Sequence, residues 1–134
     1  MLKAFLKLAV VSLACAPVAA TAWTADNRLD VNPLPGGGFE VIGDPGSGGP
    51  DYWCAAGDYA LRVLGARATD RVYITRGRGA PETSTRKSGV QFSLTAPADV
   101  PDGLHLFLKM RRVGDNLAVT FARNYCLDNK DLGI

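Results

Sequence analysis

Apolar side chains follow two different periods along this chain, one helical and one alternating. Advancing 100° per residue from Trp53, Tyr59, Val63, Ala56, Ala60, Trp53, Leu64, Gly57, Leu61 and Cys54 share one arc. Asp51, Asp58, Arg62 and Ala55 fall outside it. The spacing predicts an amphipathic helix over about residues 50–64, opened by Pro50 and closed by Gly65. Small residues at 56, 57 and 60 would let this helix approach a neighbouring sheet closely, with Trp53 filling the edge. Asp58 and Arg62, four positions apart, are expected on the wet side as an ion pair worth only about a few tenths of a kcal/mol.

The alternating segments predict strands. Phe39 to Ile42 follow a turn at Gly36–Gly38. "RVYITRG" puts Val72 and Ile74 on one face, and "GVQFSLT" puts Val90, Phe92 and Leu94 there. "GLHLFLKMRR" directs Leu104, Leu106, Leu108 and Met110 inward, and "NLAVTFARNYC" directs Leu117, Val119 and Phe121 inward. "VGDN", residues 113–116, reads as the hairpin turn between the last two. One buried face per segment is the pattern of an antiparallel sheet covered on one side. The fold class expected is therefore α+β: one amphipathic helix packed on a mainly antiparallel sheet of four to six strands, with one disulfide.

The first 22 residues stand outside that pattern. Lys3 and Lys7, the apolar run from Leu8 to Ala14 and the ending Ala20-Thr21-Ala22 have the layout of a secretory signal peptide, cleaved before Trp23. The apolar run is shorter than the roughly 20 residues a membrane span needs. A lipid anchor at Cys15 is the competing reading, although such signals usually carry leucine three positions earlier, where Ser12 stands. Residues 23–134 are then one small exported domain, periplasmic or secreted, in a Gram-negative envelope, without stable membrane insertion after cleavage.

Removing the leader changes both charge and cysteine arithmetic. The formal net charge of +2 comes from Lys3 and Lys7, so the remaining 13 basic and 13 acidic residues balance. A neutral domain gives no electrostatic reason to expect nucleic acid as a partner. Cys54 and Cys126 remain as an even pair, which in an exported chain predicts a disulfide. Closing that loop should contribute about 4 kcal/mol in the chain-entropy model. Two cysteines and one histidine are too few soft ligands for a metal site, and no cofactor motif is present.

The candidate chemistry is sparse. The sheet face opposite the helix would carry Tyr73, His105, Phe107, Lys109 and Arg111, a mixture of aromatic and basic groups. The loop from Gly77 to Gly89 begins after Arg76 and adds Arg78, Arg86 and Lys87 among glycines and small polar residues. Guanidinium groups beside open backbone amides suit phosphate, sulfate or carboxylate. These residues point to a non-enzymatic binding module for an envelope protein or an anionic envelope component. A small secreted inhibitor of a partner enzyme is one alternative. A hydrolase using His105 with Asp102 or Asp70 is the other, although no G-x-S-x-G, H-E-x-x-H or C-x-x-C accompanies the histidine.

Overall fold

The computed structural model describes residues 22–98 and 109–131. The signal-like segment through residue 21 and the stretch 99–108, with Asp102, Leu104, His105, Leu106, Phe107 and Leu108, lie outside the described residues. The elements are β1 (Trp23–Thr24), β2 (Asp30–Pro33), β3 (Phe39–Ile42), α1 (Gly49–Arg62), β4 (Arg71–Gly79), β5 (Gly89–Ser93), β6 (Asn116–Ala118) and α2 (Val119–Asp131). The six strands form one sheet in the order β1-β2-β3-β5-β4-β6, and every neighbouring pair is antiparallel. The fold is α+β, with two helices packed together and joined by the disulfide Cys54–Cys126.

Alternation builds the core as expected. Val31, Val41 and Val90 lie opposite one another across β2, β3 and β5, and Phe39, Phe92 and Ile74 form a second row. All six are buried, each contributing about 1.5–3 kcal/mol on leaving water. From α1, Trp53 meets Phe92 at 5.3 Å between ring centroids and Tyr59 meets Phe39 at 4.6 Å. The α1 N-terminus is held by Asp51, whose carboxylate accepts the Gly48 N–H at 2.8 Å. At the other end Gly65 takes a φ of +67° and lets Ala66 N–H reach the Ala60 carbonyl at 2.9 Å.

The last strand is where the structure departs most from the pattern. Only Asn116–Ala118 pair with β4, because Ala118 already faces Arg71, the first residue of that strand. Beyond it the Val119 and Thr120 amides are taken by the Asp70 and Ala68 carbonyls at 2.8 and 3.1 Å. With no strand left to pair, the chain winds into α2. Val119, Ala122 and Cys126 repeat at helical spacing and are buried, whereas Phe121, expected inward, is 64% exposed. The disulfide therefore pins helix to helix rather than helix to strand.

The second helix also corrects the orientation of α1. A Cβ on Gly57 would lie 2.5 Å from the Arg123 amide nitrogen and 2.9 Å from the Ala122 Cβ. At Gly57 the close approach thus serves α2, not the sheet. Ala55 and Asp58, expected on the wet side, are both fully buried, and Val63 and Leu64, expected on the core arc, are exposed. The helical arc allowed for one covering layer, and α1 has two.

The segment before β6 is a further correction. Lys109–Arg112 form no strand. Met110 is buried, as expected, but in the left-handed region at φ +56°, and its carbonyl accepts Arg78 N–H at 2.7 Å. Gly77 admits this segment: a Cβ there would stand 2.6 Å from the Arg111 carbonyl oxygen. The turn at Val113–Gly114 is in the expected place and hands its Gly114 N–H to the Ile74 carbonyl.

Candidate functional site

The outer face of the sheet is not open. Register places Asn32, Glu40, Gln91 and Arg76 in one row across β2, β3, β5 and β4. The loop of residues 80–88 lies over that row, which leaves Glu40 only 1% exposed. Its Oε1 accepts the Thr83 N–H at 2.9 Å and the Thr83 hydroxyl at 2.6 Å. Its Oε2 accepts the Glu82 N–H at 3.0 Å and the Gln91 amide at 2.9 Å. Burial alone would push the Glu40 carboxyl up, yet the Thr83 hydroxyl, the Gln91 amide and the two backbone N–H groups together hold it below its ordinary value.

Arg76 is committed to the same loop. Its guanidinium bonds Glu82 and the Ala80 carbonyl, both at 2.9 Å. It serves to fix the loop rather than to meet a ligand.

Beside the loop's far half is a cleft of about 570 Å³, between residues 43–47 ahead of α1 and residues 85–88. Arg78, Arg86 and Lys87 line it together with Tyr52, Ser47, Ser88 and Asp44. Tyr52 is buried, with its hydroxyl 2.8 Å from the Ser88 hydroxyl. Gly43 makes room for that ring, since a Cβ there would overlap the Tyr52 hydroxyl. The Arg78 guanidinium sits 4.8 Å from the centre of the Tyr52 ring and donates to the Ser47 carbonyl at 2.7 Å. Arg86 pairs with Asp44 across the mouth. Each guanidinium has five N–H donors, so both keep donors beyond those already engaged. Three cations against one carboxylate leave the cleft positive.

The structure therefore brings Arg78 and Arg86 to one place and separates them from the rest of the sequence-derived set. Tyr73 is half-buried on β4 opposite Ser93. Lys109 and Arg111 are exposed on the irregular segment beside Gly77, not on a sheet face. His105 and Phe107 fall outside the described residues. Among the described residues no group of three or more histidine, cysteine, aspartate or glutamate side chains is placed to hold a metal. No helix among them is long and apolar enough to cross a membrane.

Tyr52, Asp44 and Glu40 were not legible as site residues. Tyr52 lies within the predicted helix, in its first turn, where an aromatic residue reads as packing rather than as a site. Glu40 alternates with Phe39 and Val41, which reads as an ordinary solvent-facing strand position. The only hint for Asp44 was the loop "DPGSGGP" immediately before the helix. No protein-family model, curated protein or solved structure matches this chain.

Proposed function

We propose that this protein is an exported, non-enzymatic binding module that captures an anionic envelope component through the cleft between α1 and the arginine-bearing loop. The observation that carries this reading is the convergence of Arg78, Arg86 and Lys87 on one cavity walled by Tyr52. Long cationic side chains normally lose rotamer freedom on binding. Arg78 is already held by the Tyr52 ring and the Ser47 carbonyl, and Arg86 by Asp44. A volume in the range of small-molecule pockets suits a discrete oxyanion-bearing group better than an extended polymer. The leader-like first 22 residues and the disulfide both support an oxidising compartment outside the cytoplasm.

The test is salt-dependent retention on a phosphate-bearing cellulose matrix. The natural protein should be held at low salt and released as salt rises. Arg78→Glu with Arg86→Glu should abolish retention. Lys109→Glu with Arg111→Glu makes the same change in net charge and should leave most of it. Equal loss in the two double variants would mean that net charge alone is responsible, and would refute the cleft.

A further inference from the structure

We propose that Glu40 is the positioning residue of this cleft, its buried carboxylate gripping the covering loop from beneath so that Arg86 and Lys87 are presented beside Arg78. The inference rests on the reading of the cleft as an oxyanion site. Several contacts tie the loop down. Arg76 holds its start through Ala80 and Glu82, Glu40 holds its middle through Glu82 and Thr83, Arg86 itself pairs with Asp44, and Tyr52 holds its end through Ser88. Thr85, Arg86 and Lys87, which line the cleft, lie between the Glu40 tie and the Tyr52 tie.

Every group that touches the Glu40 carboxylate is a neutral donor. Gln91 reaches it from β5, and Glu82 N–H, Thr83 N–H and the Thr83 hydroxyl reach it from the loop. Asn32 of β2 stands behind Thr83 and donates to its hydroxyl oxygen at 2.9 Å, while its own Oδ1 has no donor among the described residues. The one cation in the row, Arg76 of β4, is engaged by the Glu82 carboxylate and the Ala80 carbonyl. The donors are thus all turned toward one carboxylate, and Asn32 leaves an acceptor unmet to take part. Only an acceptor on both oxygens satisfies this set. Glutamine at position 40 would turn an amide N–H₂ toward either the Glu82 or the Thr83 backbone N–H, and neither of those can rotate away.

Sulfate is the probe, because it stays doubly charged from neutral to mildly acidic pH, and the amide signals of Lys87 and Ser88 report its binding in NMR titrations. The natural protein should show saturable shifts near neutral pH, and Arg78→Glu should remove them. If Arg78→Glu binds sulfate unchanged, the cleft reading itself fails. Glu40→Gln should weaken sulfate binding about tenfold, the effect of losing one well-made hydrogen bond to a charged group. Thr83→Val removes one of the three loop-side donors to Glu40, the hydroxyl, and should weaken it in the same direction. It decides the matter should Glu40→Gln not fold. Acidification provides a second readout. Protonating Glu40, whose carboxyl is held below its ordinary value, should weaken binding in the natural protein but not in Glu40→Gln. Sulfate held in the cleft with natural affinity by both Glu40→Gln and Thr83→Val would overturn the proposal.

Discussion

Two carboxylates that periodicity assigns to solvent, Asp58 and Glu40, are both buried, and they are satisfied in opposite ways. Asp58 lies between α1, α2 and the turn after β1. It accepts Arg62 at 2.8 and 2.9 Å, Arg123 at 3.3 Å and the Asp26 N–H at 2.9 Å. Its cations reach out to water: the Arg62 and Arg123 side chains remain 51% and 44% exposed, and Arg62 also lies 4.9 Å from the centre of the Trp23 ring. Glu40 has no cation among the described residues and depends on neutral dipoles from Gln91 and a covering loop. The first arrangement joins secondary elements across the core. The second fixes one loop against one sheet face. A buried acid in this molecule is thus a fastener in both places, but what it fastens differs in scale.

The largest expected effect comes from Asp58→Ala. Removing one member of a buried charged cluster typically destabilises by about 3–5 kcal/mol. Here the orphaned arginines can rehydrate, so a loss of about 2–3 kcal/mol is expected, read as a lowered denaturant midpoint with the disulfide intact. A loss below about 0.5 kcal/mol, the ordinary surface value, would return Asp58 to the wet side and remove α2 from its position. Gly57→Leu tests the same helix pair sterically. With backbone only 2.5 Å from the new Cβ, overpacking should destabilise by about 1–3 kcal/mol, by the same measurement. Glu40→Gln should be smaller, about 1–2 kcal/mol for one buried donor left unmet.

Glu40 also has a pH signature. Its folded-state value is depressed below the ordinary 4.5, so its contribution is present above that value and lost as pH falls through the folded value. The stability difference between the natural protein and Glu40→Gln should therefore narrow in acid. A difference that is constant through that range would contradict the ionised anchor.

Much of the framework was legible in the sequence for a physical reason: strand alternation and helical spacing record which face is apolar. Val72, Ile74, Val90, Phe92 and Trp53 are buried as their spacing requires, and the cysteine pair was found from parity and compartment. What periodicity does not record is a second layer laid over a polar face. Asp58 and Ala55 were misplaced because α2 covers them, and Glu40 was passed over because the loop of residues 80–88 covers it, in each case with groups distant in sequence. The α2 helix was itself obscured, since Leu117, Val119 and Phe121 fit an alternating period while Val119, Ala122 and Cys126 fit a helical one. The length of β4's free edge decided between them, and that is set by pairing rather than by local sequence. Of the candidate site, the arginine loop was legible by composition. The selection of Arg78 and Arg86 over Arg76 depended on where the distant segment of residues 43–52 fell, since Ser47, Tyr52 and Asp44 meet the first two and form the cleft with them.

The contrast between the two fasteners is tested most directly by native-state hydrogen exchange at the amides of Glu82, Thr83 and Arg123 in Glu40→Gln and Asp58→Ala. Exchange follows local opening where a fastener is local and global unfolding where it is not. Glu40→Gln should accelerate Glu82 and Thr83 well beyond Arg123, which should follow only the loss of global stability, and Asp58→Ala should accelerate Arg123 together with the core strands. Acceleration of all three amides alike in Glu40→Gln, or of none in Asp58→Ala, would contradict the division between a carboxylate that holds the fold and one that holds the cleft.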